Sequence, residues 1–285
     1  MIKFSTEQRE AMTAGRAARR RLIKEARKAA DRAKNSNRSM YLDSIIAGES
    51  GIGKTLNIKK ELEEQGITYF EITGNSSLFG LMGNLMLLHN AKPKGERVVV
   101  FLDDCDFMFE RKNINMLKHM TATQANERCF EYNKKITASS FNGDSGALVG
   151  NYYNEEQGKL TIPCDEFIFV IASNIILPDE QSIKTMSTAQ QRVAEHLLAI
   201  RGRMNVFDFK LNKKEKWGWL YEVAINDGGL DMLENENDKL YLLDWLWNHW
   251  NRMKETSVRT IQKMGYEIID DPEEYKDNWE LDYLI

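Results

Sequence analysis

The sequence predicts an α/β protein whose parallel sheet is followed by a small all-α domain. From residue 41 onwards, short apolar runs alternate with helical stretches, a pattern typical of a parallel sheet covered by helices on both faces. After residue 212 the strand-like runs stop, and three stretches follow whose aromatic and aliphatic residues recur at helical spacing. These observations divide the chain into a basic N-terminal helix, an α/β core and a helical domain, at 1–40, 41–212 and 213–285.

The composition argues against a membrane protein and against a disulfide-rich secreted protein. The longest apolar runs, VVVFL and FIFVIA, are far shorter than a membrane-spanning helix requires, and the N-terminus has no apolar signal core. The three cysteines are odd in number and form no CxxC pair, so neither a zinc site nor a disulfide framework is indicated. We expect a cytoplasmic protein with no membrane partner.

The N-terminal segment predicts one long polar helix over residues 6–35, ended by Asn35-Ser36-Asn37. Residues 1–40 hold twelve Lys/Arg and four Asp/Glu, whereas residues 226–285 hold six bases and fifteen acids. Because large apolar residues are sparse, we expect a solvated or partner-facing helix. Three interpretations stay open: binding of a nucleic-acid backbone, docking onto an acidic neighbouring subunit, or a solvated charged face. The basic residues concerned are Arg16, Arg19, Arg20, Arg21, Lys24, Arg27 and Lys28.

The elements of the core follow from its apolar runs and their boundaries. Strands are predicted at SIIA (44–47), ITYFEI (67–72), RVVVFLDD (97–104), FIFVIASN (167–174) and NVFDF (205–209). Helices are predicted at 56–66, 76–90 and 189–200, and in the C-terminal domain at 213–226, 239–255 and 257–269. The Gly/Ser/Asn-rich stretch 137–160 predicts a loop or hairpin after a short strand within 128–136.

A glycine-rich segment, GESGIGKT, lies between the first predicted strand and the helix after it, and fits the pattern G-x-x-x-x-G-K-[ST]. Glycines let the backbone curl so that successive N–H groups face phosphate oxygens, and the following helix directs its positive end to the same place. The lysine is expected to reach the β- and γ-phosphates, and the threonine hydroxyl to reach Mg²⁺. The predicted nucleotide contacts are Gly48, Glu49, Ser50, Gly51, Ile52, Gly53, Lys54 and Thr55.

Polar side chains end two of the buried strands, at the sheet edge where open α/β sheets bind ligands. Asp103 is expected to join Thr55 in holding Mg²⁺, and Asp104 to orient the attacking water. Asn174, after FIFVIAS, is expected to bond a water or the γ-phosphate without adding charge. Two arginines, Arg201 and Arg203, end a predicted helix just before the last strand. Guanidinium groups stabilise charge on a transferring phosphoryl group, and a helix C-cap or a salt bridge is the alternative role.

The segments GESGIGKT, VVVFLDDCD, FIFVIASN and AIRGRMNVFDF occur in the order and approximate spacing of AAA+ ATPases. Over residues 41–212 the chain resembles the clamp-loader-type and phage-encoded members of that family. The resemblance implies a P-loop αβα core followed by an all-α lid, with Asp103 and Asp104 as Walker B. It also implies that Asn174 is sensor 1 and that Arg203 is an arginine finger acting on a neighbouring subunit, with Arg201 in reserve. In SVRTIQKM, it nominates Arg259 as sensor 2.

By this resemblance, we expect an oligomeric ring or spiral that uses ATP and Mg²⁺ to remodel or load a macromolecule. DNA replication is the leading pathway, in the cytoplasm of a host cell if the protein is phage-encoded. Two alternatives stay open: a protein unfoldase or assembly chaperone, and a nucleotide-dependent switch with slow turnover.

The chain departs from the family pattern in two places. The family usually has Glu where this chain has Asp104, so the reach of the carboxylate is shorter by one methylene. The segment at about 110–165 is longer than in a minimal module, and we favour a surface insertion over a substrate-contacting hairpin.

Two aromatic features have both a functional and a packing interpretation, and packing is favoured for each. Phe79, in LFG, has the pattern of a pore-loop aromatic, but it is flanked by apolar residues typical of a packed helix. The tryptophans of the C-terminal domain recur at helical spacing, which favours a core over base stacking. These are Trp217, Trp219, Trp245, Trp247 and Trp250.

Overall fold

The computed structural model describes residues 3–34, 42–74, 77–141 and 143–285. The predicted end of the first helix at 35–37 and the boundary at 40/41 lie outside the described residues. The contacts within the chain separate two compact units. The first comprises Met1–Lys24, Glu49–Gly53 and Lys210–Ile285, and the second comprises Glu25–Gly48 and Lys54–Phe209.

The second unit is built on a five-stranded parallel sheet, which confirms the predicted α/β class. The strands are β1 (Ser44–Gly48), β2 (Tyr69–Thr73), β3 (Val98–Asp103), β7 (Phe167–Ser173) and β8 (Asn205–Phe209). Their order is β2-β3-β7-β1-β8, and every neighbouring pair is parallel. All seven residues of β7 are buried, because this strand lies at the centre of the sheet and its side chains are apolar apart from Ser173.

Helices cover the sheet, and some of them begin at capping residues whose side chains accept bonds from free N–H groups. They are α2 (Lys54–Glu64), α3 (Leu78–Ala91), α4 (Ile114–Met120), α5 (Asp144–Tyr152), α6 (Glu180–Lys184) and α7 (Thr188–Arg201). The Ser77 side chain accepts a bond from the backbone N–H of Gly80 at the start of α3. A reciprocal pair of bonds between Ser187 and Gln190 begins α7. Ser76, which began the predicted third helix, lies outside the described residues.

The long insertion carries a second, antiparallel sheet of three strands in the order β4-β6-β5, and its strands are β4 (Cys129–Tyr132), β5 (Tyr153–Asn154) and β6 (Lys159–Pro163). The prediction of a loop or hairpin at 137–160 is correct for its last part, where β5 and the start of β6 pair as an antiparallel hairpin, and wrong for residues 144–152, which form α5. Residue 142 of this stretch lies outside the described residues. Small residues such as Ser145 and Gly146 are typical of loops, but here they are buried in α5 together with Val149.

The first unit contains the helices of the C-terminal segment: α8 (Lys213–Asn226), α9 (Glu236–His249), α10 (Val258–Asp270) and α11 (Tyr275–Tyr283). Its core is rich in tryptophan, which confirms the packing interpretation. Trp217 is fully buried and its indole N–H donates to the Leu243 carbonyl at 2.9 Å. Trp219 and Trp245 are buried as well, and Trp247 and Trp250 pack against the same core.

The N-terminal helix α1 (Thr6–Lys34) is packed along one side, so the expectation of a solvated or partner-facing helix is wrong for that side. Ala11, Gly15, Ala18 and Leu22 are buried. Within the first unit, a Cβ built on Gly15 would overlap the backbone of Gly218. Small residues thus make a packing face that a search for large apolar side chains does not detect.

The basic side chains of α1 pair with acids of the same chain. In the first unit Arg16, Arg19 and Arg21 pair with Glu222, Asp227 and Glu215, at 2.7, 2.8 and 2.8 Å. In the second unit the Nε atom of Arg27 lies 2.9 Å from a carboxylate oxygen of Glu61. Much of the positive charge counted in the sequence is therefore balanced locally.

None of the described helices is both long enough and apolar enough to cross a membrane.

Candidate functional site

The strands β3, β7 and β1 are neighbours in the sheet, so the residues at their carboxyl ends lie side by side. Lys54 and Thr55 begin the helix after β1, Asp103 and Asp104 stand at the end of β3, and Asn174 follows β7. The sequence predicted each of these as a functional residue, and the second unit brings them into direct contact.

Lys54 is the buried cation of this group, with 5% of its surface exposed. Its Nζ atom donates to the Gly48 carbonyl at 2.7 Å and to Asn174 Oδ1 at 2.9 Å. Asn174 Nδ2 donates in turn to Asp104 Oδ1, also at 2.9 Å. Because the ammonium can only donate and the carboxylate can only accept, the amide of Asn174 is held in one orientation.

The hydroxyl of Thr55 donates to Asp103 Oδ1 at 2.6 Å. Burial raises the pKa of Asp103, and the Thr55 bond opposes that shift, while the nearby carboxylates of Asp104 and Glu71 add to it. A nearby cation would therefore stabilise the ionised form of Asp103. The pair offers the hydroxyl and carboxylate oxygens that Mg²⁺ prefers.

Asp104 has a backbone φ of 52°, the only positive φ of a non-glycine residue in the part of the chain that the structure describes. Aspartate tolerates this left-handed conformation better than most residues, but it still costs about 1–3 kcal/mol. The end of β2 passes directly against this point, since a Cβ built on Gly74 would overlap the Asp104 carbonyl oxygen. Gly74 therefore permits the conformation that presents the Asp104 carboxylate to Asn174.

Two glycines of the segment GESGIGKT have a left-handed backbone. Gly51 and Gly53 have φ angles of 76° and 73°, which lie in the left-handed region that favours glycine. Glu49–Gly53 belong to the first unit, where Glu49 forms an ion pair with Lys216 and Gly51 lies against Ser257. Gly48 and Lys54, on either side of that segment, belong to the second unit.

Sequence reasoning missed Asp106, which fixes the chain after the two aspartates. The Ser173 hydroxyl, fully buried at the end of β7, donates to Asp106 Oδ1 at 2.6 Å and accepts from the Ile175 N–H at 2.9 Å. The signal available was a third acid in the run DDCD, read together with the serine that precedes Asn174. Gly74 was missed as well, because its role depends on a neighbouring strand.

The two arginines near β8 have different surroundings. Arg201 donates to Asp208 Oδ2 at 2.5 Å and to the carbonyls of Leu177 and Pro178 at 2.7 and 3.2 Å, so it holds loops together. Arg203 donates to the Ala199 carbonyl at 2.9 Å and is not joined to the Lys54–Asn174–Asp104 group.

The two remaining predicted residues belong to different units. Arg259 lies exposed on α10 of the first unit. Phe79 packs edge-to-face on Tyr132 and Phe141, with centroid distances of 5.7 and 5.6 Å, as the packing interpretation expects.

The donor set fits a Mg²⁺ ion shared with a substrate better than one enclosed by protein. Among the described residues, no three His, Cys, Asp or Glu side chains are grouped closely enough to hold a metal. Mg²⁺ commonly binds through one or two protein oxygens, substrate phosphates and water, and Thr55 with Asp103 supplies that number. No model of a known protein family matches this chain, and no curated protein matches it either.

Proposed function

We propose that this protein is a P-loop ATPase of the AAA+ type, which binds ATP with Mg²⁺ and hydrolyses it. The observation that carries the proposal is the continuous set of bonds from Lys54 through Asn174 to Asp104, beside the Thr55–Asp103 pair. A buried cation, a pair suited to holding Mg²⁺ and a second carboxylate at one sheet edge are the parts that phosphoryl transfer needs.

The roles of the residues follow from their donors and acceptors. The N–H groups of residues 48–55 bind phosphate oxygens, and Lys54 exchanges its bonds to Gly48 and Asn174 for bonds to the β- and γ-phosphates. Thr55 and Asp103 hold Mg²⁺, which when bound neutralises charge on the phosphates. Asp104 accepts a hydrogen bond from the attacking water and orients it, and Asn174 positions both the water and Asp104.

The proposal extends to an assembly in which Arg203 of one copy reaches the nucleotide of the next. Phosphoryl transfer places extra negative charge on the γ-phosphate oxygens, and a guanidinium stabilises it. In this proposal the C-terminal helices form the lid, Arg259 responds to the bound nucleotide, and the output is remodelling or loading of a macromolecule, with DNA replication as the leading pathway.

A slow nucleotide-dependent switch is the second candidate, and one observation favours it. The Asp104 carboxylate is short and already accepts a bond from Asn174 at 2.9 Å, so water competes with that amide for the same oxygen. Turnover below about one per minute in the assembled protein, far under the usual range of enzymes, would support this candidate.

The test is calorimetry of a non-hydrolysable ATP analogue with Mg²⁺, on the wild type and on Lys54→Ala. We expect binding that Lys54→Ala abolishes. Lys60→Ala, an exposed lysine of the same helix that faces Glu64 at 3.8 Å, is the matched control and should bind normally. Absence of binding by the folded wild type would refute the proposal.

Hydrolysis is tested separately with Asp104→Asn, which should keep nucleotide binding and lose turnover. Measuring the wild-type rate with single-stranded DNA, double-stranded DNA and unfolded protein then distinguishes a DNA-directed ATPase from an unfoldase.

A further inference from the structure

Three basic side chains of the second unit, Lys118, His196 and Arg203, form a group that we name the cationic cluster. Lys118 lies on α4 and His196 on α7, and the Lys118 Nζ atom is 2.6 Å from His196 Nδ1. Because an ammonium has no acceptor, Nδ1 accepts this bond and the imidazole carries its proton on Nε2. In this arrangement the Nε2–H group is left as a donor for a ligand.

Arg203 completes the cluster from the turn after α7. Its guanidinium donates to the Ala199 carbonyl at 2.9 Å, one helical turn after His196, which places it near the end of α7 that carries His196. Burial, followed by the positive charge of Arg203, lowers the pKa of Lys118. Among the described residues, no member of the cluster forms an ion pair, whereas Arg201 nearby is paired with Asp208. The chain thus gathers two positive charges without a carboxylate to balance them.

The cluster consists almost entirely of donors. Lys118, the Nε2–H of His196 and the remaining N–H groups of Arg203 all donate, and none of them accepts. A compact anion with several acceptor oxygens, such as a phosphate group, matches this set and gives charge-assisted bonds. Half-burial of Lys118 and Arg203 limits competition from water.

The cationic cluster lies too far from Lys54 to contact a nucleotide bound by the same copy of the second unit. Arg203 precedes the amino end of β8, where the Asn205 N–H donates to the Asp43 carbonyl just before β1 at 3.0 Å. Lys54 follows the carboxyl end of β1, which runs parallel to β8. The five residues of β8 span about 16 Å, so the cluster and Lys54 lie at opposite edges of the sheet.

We propose that the cationic cluster binds the terminal phosphate of ATP held by a second copy of this chain, with Lys118 and His196 as binding residues beside Arg203. This inference rests on the proposed ATPase function and assigns a role to two residues that the motifs did not identify. The cluster supplies Lys118 as a second positive charge, and His196 fixes the ammonium through its Nδ1 atom.

The first test separates binding from assembled activity. Lys118→Ala and Lys118→Met should keep the affinity of the unassembled chain for the ATP analogue, because Lys118 lies away from the nucleotide of its own copy. They should reduce ATP turnover of the assembled protein about 10-fold or more, the effect of one charged hydrogen bond. Lys118→Arg should recover part of the loss. Lys112→Ala, an exposed lysine paired with Glu110 at 2.9 Å, is the matched control and should change neither quantity.

The second test asks whether the residue acts between copies. Lys54→Ala copies cannot bind ATP but keep Lys118, so mixing them with Lys118→Ala copies should restore turnover above that of either variant alone. Loss of turnover that mixing does not restore would overturn the proposal, as would full turnover by Lys118→Ala.

A third measurement tests phosphate binding by the cationic cluster without any nucleotide. Nuclear magnetic resonance of the wild-type His196 ring, during titration with inorganic phosphate, should show a shift that Lys118→Met removes, even if Lys54 binds no nucleotide. Loss of DNA binding in Lys118→Ala, with unchanged ATP turnover, would instead assign the cluster to nucleic-acid phosphates and overturn the proposal.

Discussion

Asp104 combines a strained backbone with a carboxylate fixed by a neighbour. Its left-handed φ of 52° is permitted by Gly74, and its side chain is held by Asn174 at 2.9 Å. Strain of this kind persists only where the surroundings compensate for it, and it concentrates at functional sites. Asp104 thus differs from an ordinary solvated acid at the end of a strand in both its backbone conformation and its fixed side chain.

Gly74→Ala should destabilise the fold by about 1–3 kcal/mol, because the added methyl group overlaps the Asp104 carbonyl oxygen and the backbone must move. Denaturant unfolding measures the change. Gly150→Ala is the matched control: it lies in α5 with open space around it, and should stabilise by about 0.5–1 kcal/mol. Equal unfolding midpoints for the two variants would contradict the close approach.

Asp103→Asn should raise the stability of the nucleotide-free protein at neutral pH. Burial raises the pKa of Asp103 in the folded state, so the folded protein binds the proton more tightly than the unfolded chain does. Its contribution to stability therefore falls as pH rises from the ordinary aspartate pKa through the raised one. Across this pH interval, the melting temperature should decline more steeply with rising pH for the wild type than for Asp103→Asn. The variant should also lose the proposed Mg²⁺-dependent nucleotide binding.

Much of the candidate site was predictable from the sequence, since Lys54, Thr55, Asp103 and Asn174 belong to motifs whose spacing relative to strands is visible. Gly74 and Asp106 were not, because their roles come from contacts between strands far apart in the chain. The cationic cluster was partly found through Arg203. Lys118 and His196 have no local pattern, and only the packing of two helices brings them together.

At the scale of elements, a buried ion pair joins the amino ends of the strands to the insertion. Arg128, just before β4, lies 2.9 Å from Asp43 Oδ1 and donates from Nε to the Met120 carbonyl at the end of α4. The same oxygen of Asp43 accepts the Phe169 N–H of β7 at 2.8 Å. The side chains of Arg128 and Asp43 are 5% and 3% exposed, so water cannot replace either partner of the ion pair.

Arg128→Met should therefore destabilise the protein by about 3–5 kcal/mol, since it leaves Asp43 buried without its counter-ion. The double variant Arg128→Met, Asp43→Asn should lose less, because the amide oxygen still accepts the Phe169 N–H and no charge is left unpaired. Lys60→Met, at an exposed pair, should change the free energy of unfolding by about 0–1 kcal/mol. A double variant no more stable than Arg128→Met would argue against this account.

The sequence predicted the strands of the parallel sheet and the longer helices after residue 41, but not the short helices α4, α6 and α11, nor the packing of elements rich in small residues. The strands of the parallel sheet lie where the apolar runs place them. The buried side of α1 and the helix α5 were missed for the same reason: Ala, Gly and Ser allow backbones to approach closely, yet the same residues are typical of exposed helices and loops.

At the scale of the whole molecule, the second unit carries complementary groups on opposite edges of one sheet. The groups that we propose to bind phosphate lie at the carboxyl edge, and the donors of the cationic cluster lie at the amino edge, an arrangement that suits head-to-tail association. The charge imbalance between the two ends of the sequence is a weaker guide, because Arg16, Arg19 and Arg21 are paired inside the first unit.

Arg203→Ala and Arg201→Ala should consequently fail in different ways. Arg203→Ala should leave the melting temperature almost unchanged and reduce ATP turnover of the assembled protein about 1000-fold or more. Arg201→Ala should lower stability by about 1–3 kcal/mol, because Asp208 and the carbonyl of Leu177 lose a donor. Full turnover by assembled Arg203→Ala would refute its role between copies.

The side chain of Asn174 has one further consequence. Turning its amide end for end would set NH₂ against the Lys54 ammonium and oxygen against the Asp104 carboxylate, so both contacts would become repulsive. The group consequently has a single low-energy state while both neighbours are present. An anion that takes the Lys54 ammonium would release the Oδ1 end of the Asn174 amide and leave its Nδ2 end bonded to Asp104. A change at Lys54 would thus alter the restraint on Asp104, across the end of β7.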